Sequence, residues 1–349
     1  MIMKKAFGMV IVALSVAFLL SSVPLSADVN QTYFYYQQLD ANERVIYDIL
    51  CSTDTSEREI EIDLPVVITI ESADPVRHIN NIVADMQSKV RFAIEFGEPF
   101  SHWGWHGCKM ELKGTVTEGS GTATLTGITA ILTVSPEYDD PDTEKDELAE
   151  KKVELLRNIE GFSTKSTDRR GIIGDINQFL IDTASYDPNF NDESKISPYA
   201  HDAYGAIVAE GHLAVCDGYS KAFMLLCRQY DIPCIMDMGS ALPITKNVGH
   251  AWNYVQMEDG AWYAVDVTWN DSLGNEFLLV GADTFFTTHQ QGAVIDPNFR
   301  SPFTIPTISK DRFDPYPPSY DQYAWTIALA IAVILAIVIY REIRNSKSA

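Results

Sequence analysis

The sequence predicts an α+β protein. A helix that opens on a cysteine packs on a small antiparallel sheet, beside a smaller N-terminal α+β region, with a signal peptide before and a transmembrane helix after. Three observations carry this. Apolar residues make up 46% of the 349, which supports a sizeable core and argues against wholesale disorder. Helical periodicity and strand alternation follow each other in two blocks, 28–135 and 140–300, with an acidic, turn-rich boundary from Pro136 to Asp146 between them. Two long apolar runs lie at the ends of the chain.

In the first block, Tyr36, Leu39, Val45, Ile46, Ile49 and Leu50 recur at helical intervals, so 28–50 reads as helix. Residues 59–71 alternate Ile60, Ile62 and Leu64 with acids and read as strand; 75–90 read as helix. Residues 109–117 and 122–134 are rich in Thr and Val and are split by Gly119-Ser120-Gly121, a hairpin signal. In the second block, helices are expected at 143–158 and 172–185, then a loop holding Pro188, Pro198 and Tyr199. A helix runs from Cys216 to about Tyr230, and strands follow at 233–238, 249–257 and 261–267.

The ends set a topology. Residues 1–27 have a basic start (Lys4, Lys5), an apolar run from Ala6 to Leu20, Pro24, and the small-residue site Leu25-Ser26-Ala27, the parts of a signal peptide cleaved after Ala27. The run 323–340 holds no charge and is long enough, at about 1.5 Å per residue, to cross a hydrocarbon core. Tyr323, Trp325 and Tyr340 stand at its edges, and Arg341, Arg344 and Lys347 follow it. Positive residues stay on the cytoplasmic side. A single-pass protein of the cell membrane is therefore expected, with 28–322 extracellular and the tail 341–349 cytoplasmic. Residues 301–322, rich in proline, read as a stalk or a wrapping extension. The formal net charge of −22 disfavours nucleic acid as a partner, because an acidic body repels phosphate backbones.

Three strings carry chemistry: Ala214-Val215-Cys216-Asp217-Gly218-Tyr219, Val248-Gly249-His250-Ala251-Trp252-Asn253, and Trp262-Tyr263-Ala264-Val265-Asp266-Val267-Thr268-Trp269. Cys216 falls at an expected helix N-terminus, where the helix dipole and free N–H groups favour thiolate. The turn Glu258-Asp259-Gly260 joins the strands of His250 and Asp266, so a hairpin sets base and orienting carboxylate side by side. A thiol, a histidine and an acid so arranged can form a nucleophilic triad. Each alone has a plainer reading: a small buried thiol, a structural imidazole, a helix cap.

Together the strings resemble the transglutaminase-like superfamily, in its bacterial and archaeal secreted branch. That family has Cys-x-Gly-Tyr, Gly-His-Ala-Trp-Asn and Trp-Tyr-x-Val-Asp-x-Thr-Trp in this order. The resemblance covers about 150–290 and includes Ala203-Tyr204-Gly205-Ala206, Asp231-Ile232-Pro233 and Phe277-Leu278-Leu279-Val280. It implies a papain-like α+β core with Cys216, His250 and Asp266 catalytic. The chain departs from the family at Ile176-Asn177-Gln178-Phe179-Leu180, where members often carry Ile-His-Asp-Tyr-Leu; the difference concerns helix packing or a subsite.

The implied reaction is acyl transfer from an extracellular or envelope protein or peptide through a Cys216 thioester. Cysteine proteolysis is its simplest form; deamidation and crosslinking share the same intermediate. A silent surface-binding module on the same scaffold is the alternative. The Cys216 N–H is an expected oxyanion donor, with Tyr204 and Trp252 as further oxyanion or substrate candidates. No cofactor or metal is expected. Of five cysteines, one nucleophile leaves two pairs. Cys51 with Cys108 is the favoured disulfide outside the cell, and Cys227 with Cys234 is either a second or simply two buried thiols. His102, His106 and Cys108 have partial zinc-ligand spacing without an evident fourth ligand, which favours aromatic packing around Trp103 and Trp105. Asn30-Gln31-Thr32 and Asn270-Asp271-Ser272 are glycosylation sequons.

Overall fold

The computed structural model of the protein describes residues 34–52, 59–70, 75–97, 105–118, 123–136, 141–192, 194–241, 249–292 and 303–314. Its first expected helix is split into α1 (Phe34–Gln37) and α2 (Ala41–Ser52). The cause is a capping box: Glu43 N–H donates to Asp40 Oδ1 at 2.9 Å, and Asp40 N–H donates to Glu43 Oε2 at 2.8 Å. The expected strand 59–71 is also two, β1 (Glu59–Asp63) and β2 (Ile68–Ile70), interrupted around Pro65. Helix α3 (Pro75–Gly97) follows, then the long hairpin of β3 (Trp105–Glu118) and β4 (Ala123–Pro136). Strand β4 is the spine of this antiparallel sheet, pairing with β3 along one edge and with β1 and β2 along the other. Met86, Val90, Ala93, Ile94 and Phe96 of α3 are buried, as are Ile128, Ala130 and Leu132 of β4.

The second block runs α4 (Pro141–Gly161), α5 (Arg169–Thr183), β5 (Ser185–Tyr186), α6 (Ala203–Ile207), β6 (Leu213–Ala214) and α7 (Cys216–Gln229). Then come β7 (Cys234–Ala241), β8 (Gly249–Gln256), β9 (Trp262–Val265), α8 (Val267–Leu273), a 3-10 turn at Asn275–Phe277, α9 (Ala282–Phe285) and β10 (His289–Gln291). The sheet order is β10-β7-β8-β9, antiparallel throughout. Every residue of α7 from Gly218 to Cys227 is buried, and the helix lies against β7 and β8. Tyr219, Phe223 and Leu226 are fully enclosed; each such side chain contributes about 1.5–3 kcal/mol. This burial fixes where the helix begins, and with it Cys216.

The two blocks share one core. Tyr35 is buried and its hydroxyl donates to Met236 O of β7 at 2.7 Å; Arg228 Nη2 donates to Gly97 O at 2.8 Å. The described residues up to Asp311 form one compact unit. The start of the proline-rich stretch wraps this unit rather than standing off as a stalk. Phe303 packs on Tyr35 and Phe92, and Ser309 N–H donates to Trp262 O at 2.7 Å. The predicted signal peptide (1–27), transmembrane run (323–340) and tail (341–349) lie outside the described residues. Among the described residues no helix is long and apolar enough to cross a membrane.

Candidate active site

Cys216 is positioned by the chain on both sides of it. Strand β6 pairs in parallel with β5, setting Tyr186 opposite Ala214, and Val215 N–H donates to Ala200 O at 2.8 Å. The N-cap Val215 is extended and offers no side-chain cap; Gly218 N–H donates to Asp217 Oδ1 at 3.1 Å, and the Cys216 N–H stands at the open start of α7. Gly218 is required here: a Cβ on it would stand 2.3 Å from Ala200 O. Asp217 pairs with His201 Nδ1 at 2.9 Å, and buried Lys221 donates to His201 O at 2.8 Å. The segment 200–202 is thereby clamped to the start of the helix. Cys216 itself remains half-buried.

His250 comes from the start of β8, and Asp266 from the residue after β9, where it is the N-cap of α8. Asp266 is fully buried. Its Oδ1 accepts the Trp269 N–H at 3.0 Å, and its Oδ2 accepts His250 Nε2–H at 2.6 Å. This bond leaves His250 Nδ1 as the nitrogen for the Cys216 thiol. Burial alone would lower the His250 pKa, but the Asp266 carboxylate and the thiol of Cys216 outweigh it and push it up to about 10. Burial would raise Asp266; the charge and hydrogen bond of His250, together with His289, hold it below the usual carboxylate range. The arrangement sets the His250 imidazole between the Cys216 sulfur and a buried carboxylate.

His289 is a member of the site that no motif announces. Its Nε2 lies 3.0 Å from the same Asp266 Oδ2, and its ring is stacked on Phe285 at 4.0 Å between centroids. It stands 23 residues beyond Asp266 and outside any of the three strings. Its neighbourhood exists only because β10 pairs with the far edge of β7, His289 opposite Ala241. His250, Asp266 and His289 bring three ligand-type atoms within 4.8 Å of one another. The two contacts to Oδ2 are hydrogen-bond contacts.

A second unpredicted feature explains the departure at Asn177. Asn177 is fully buried on α5; its Oδ1 accepts from Asn270 Nδ2 and its Nδ2 donates to Asn275 Oδ1, both at 2.8 Å. Asn270 Oδ1 accepts the Phe277 N–H at 2.8 Å, and Asn270 N–H donates to Asp266 O at 3.0 Å. Asn177 therefore packs a helix and tethers the segment that Asp266 caps; it is no subsite.

Tyr204 and Trp252, the further oxyanion or substrate candidates, are each held by other contacts. Tyr204 packs on Tyr199 and gives its hydroxyl to Glu154 Oε2 at 2.9 Å. Trp252 has no exposed surface; it lies against His250, His289 and Phe285. Cys227 and Cys234 are buried, unbridged thiols, and burial raises the Cys227 pKa. The side chain of Cys108 lies outside the described residues, and with it the Cys51–Cys108 pairing; so do the side chains of His102 and His106 and the sequon at Asn30. Asn270 is buried and doubly hydrogen-bonded, which leaves no room for a glycan.

Fold and site together define a mixed α/β protein whose helix-borne thiol faces a histidine on an antiparallel sheet, the histidine being tied to a buried aspartate. Residues 158–267 match the model of the transglutaminase-like superfamily. Among solved structures the chain is similar to a TGase, at 15% identity and TM-score 0.28, covering 60% of this chain and 50% of that one. It is also similar to a protein of Cytophaga hutchinsonii provisionally assigned as a cysteine protease, at 14% identity and TM-score 0.23, covering 47% and 65%. A third is the periplasmic domain of TgpA from Pseudomonas aeruginosa, at 17% identity and TM-score 0.19, covering 52% and 72%. The chain thus spans 50% and 65% of the first two. No curated protein matches it.

Proposed function

We propose that the protein is a thiol acyltransferase or hydrolase acting on peptide or protein amides, most simply a cysteine protease, with Cys216 as nucleophile, His250 as acid and base, and Asp266 as orienting carboxylate. The observation that carries this is the His250 imidazole, bonded to a buried carboxylate at 2.6 Å on one side and facing the thiol on the other. The Cys216 thiolate attacks the amide carbonyl carbon and a C–S bond forms; the oxyanion meets the Cys216 N–H at the start of α7. The C–N bond then breaks, and the amine leaves with the proton of the His250 imidazolium. Water attacks the thioester, giving its proton to His250, and the C–S bond breaks to release the acid. An amine in place of water gives a crosslink by the same steps.

The charged apolar-flanked ends of the sequence support an anchored ectodomain, residues 28–322 outside the cell and 341–349 within, which makes extracellular or envelope proteins the substrates. The experiment is the pH profile of Cys216 alkylation by iodoacetamide in the full-length chain and its His250→Ala variant. Fast alkylation that persists below about pH 7 and disappears in the variant is expected, since a free thiol titrates near 8.5. Slow alkylation with an ordinary thiol profile, unchanged by the variant, rules the proposal out.

A further inference from the structure

From the second imidazole on the same carboxylate oxygen, we infer that His289 is a positioning residue that holds Asp266 in its orientation toward His250. The inference rests on the thiol chemistry proposed above only for its consequence, not for its geometry. Asp266 has one buried carboxylate and three donors from three elements: Trp269 N–H of α8 on Oδ1, and His250 of β8 and His289 of β10 on Oδ2. An ionised carboxylate only accepts, so the His289 nitrogen facing it, Nε2, carries a proton. On the other side Nδ1 lies 2.9 Å from Thr288 Oγ1, which donates to Phe285 O at 3.3 Å. Burial lowers the pKa of His289, partly offset by Asp266, which keeps the ring neutral while it donates.

The ring cannot turn. Phe285 is stacked on one face, and Trp252, Trp269 and Phe277 close around it at 5.3, 4.6 and 5.3 Å between centroids. Both the side chain of His289 and that of Asp266 have no exposed surface. A fixed donor at 3.0 Å therefore sets the carboxylate plane that His250 meets at 2.6 Å. The other ionisable groups near this site are Cys216, Asp217 and Tyr186 on the thiol side, with Asp217 already paired to His201. None of them is hydrogen-bonded to Asp266 among the described residues, so on that carboxylate the two imidazoles are the side-chain donors.

The aromatic cage makes a discriminating pair of substitutions. His289→Phe fits the cage and loses the donor; His289→Gln fits it poorly and places an amide N–H where Nε2–H was. A merely structural role ranks Phe above Gln. A positioning role ranks Gln above Phe. The first readout is the downfield proton of His250 Nε2–H in the histidine-labelled (15N) full-length chain. It is expected to persist in His289→Gln and to move upfield or broaden away in His289→Phe. The second is the Cys216 alkylation rate at pH 6, expected to fall about tenfold in His289→Phe and to stay within about threefold in His289→Gln, since a hydrogen bond to a charged group is worth at least that factor. An unchanged His250 proton in His289→Phe overturns the inference whatever the alkylation rate. If the proton responds as expected but alkylation is independent of His250, the positioning stands and the proposed reaction falls.

Discussion

Asp237 lies in the middle of β7 with 3% of its surface exposed and is not part of the triad. Burial raises its pKa from 3.8 to about 6, although Gln291 Nε2 donates to its Oδ2 at 2.7 Å. A carboxylate so shifted is disfavoured in the folded state by about 3 kcal/mol, at about 1.4 kcal/mol per pH unit. The sign follows from linkage. The folded pKa lies above the unfolded one, so below pH 4 the group is protonated in both states and costs nothing. The cost grows between pH 4 and 6 and is complete above about pH 6. Asp237→Asn removes the ionisation while keeping an oxygen for Gln291. Urea unfolding at pH 7.5 should show the variant more stable by about 1–3 kcal/mol, the lower end allowing for the weaker neutral hydrogen bond. At pH 4 the two proteins should differ by less than about 0.5 kcal/mol. A gain of equal size at both pH values would refute the argument, and so would a loss at pH 7.5. The first would mean that packing, not charge, decides; the second, that Gln291 and the neighbouring Tyr254 fully compensate the carboxylate.

Two further substitutions test how the site is held. Gly218→Ala brings a Cβ against the backbone of Ala200 and should cost about 1–3 kcal/mol by overpacking. It should also slow Cys216 alkylation, because Ala200 O anchors Val215, the residue before the nucleophile; unchanged stability and rate would show that the loop yields freely. Asn177→Leu strands Asn270 Nδ2 in the core and should destabilise by about 1–3 kcal/mol, with the His250 Nε2–H proton shifting as the cap of α8 loosens. A shift in unfolding midpoint without any change in that proton would confine Asn177 to packing.

The three members of the site were legible because each sits in a short string whose local structure is decided locally. Val215-Cys216-Asp217-Gly218 opens an apolar-periodic helix, and α7 runs from Cys216 to Gln229, one residue short of the expected end. Glu258-Asp259-Gly260 turns as anticipated: Gly260 has φ of 79°, and Ala261 N–H donates to Asp259 Oδ1 at 2.9 Å. What stayed hidden depends on long-range pairing. Tyr204 lies close before Cys216 in sequence, yet its hydroxyl is taken by Glu154, 50 residues upstream. Asn177 meets Asn270 across 93 residues. His289 reaches Asp266 only because β10 adds to the outer edge of β7, a pairing that no periodicity in a three-residue strand can announce.

The two histidines on Asp266 also show how one carboxylate can serve two imidazoles unequally. Burial lowers the pKa of both. Both approach Oδ2, His250 at 2.6 Å and His289 at 3.0 Å. Yet His250 is pushed up and His289 is pushed down, and each is unfavourable to the other's charge because two cations cannot share one anion in a low-dielectric site. The contact that breaks the tie is on the far side of His250, where the thiol of Cys216 adds to the pull of Asp266; the far side of His289 meets Thr288, the Phe285 carbonyl and aromatic carbon, and their help does not offset its burial. The proton therefore belongs on the ring that faces the nucleophile. A pair of like groups driven apart by their surroundings is the arrangement that separates a proton carrier from a fixed support.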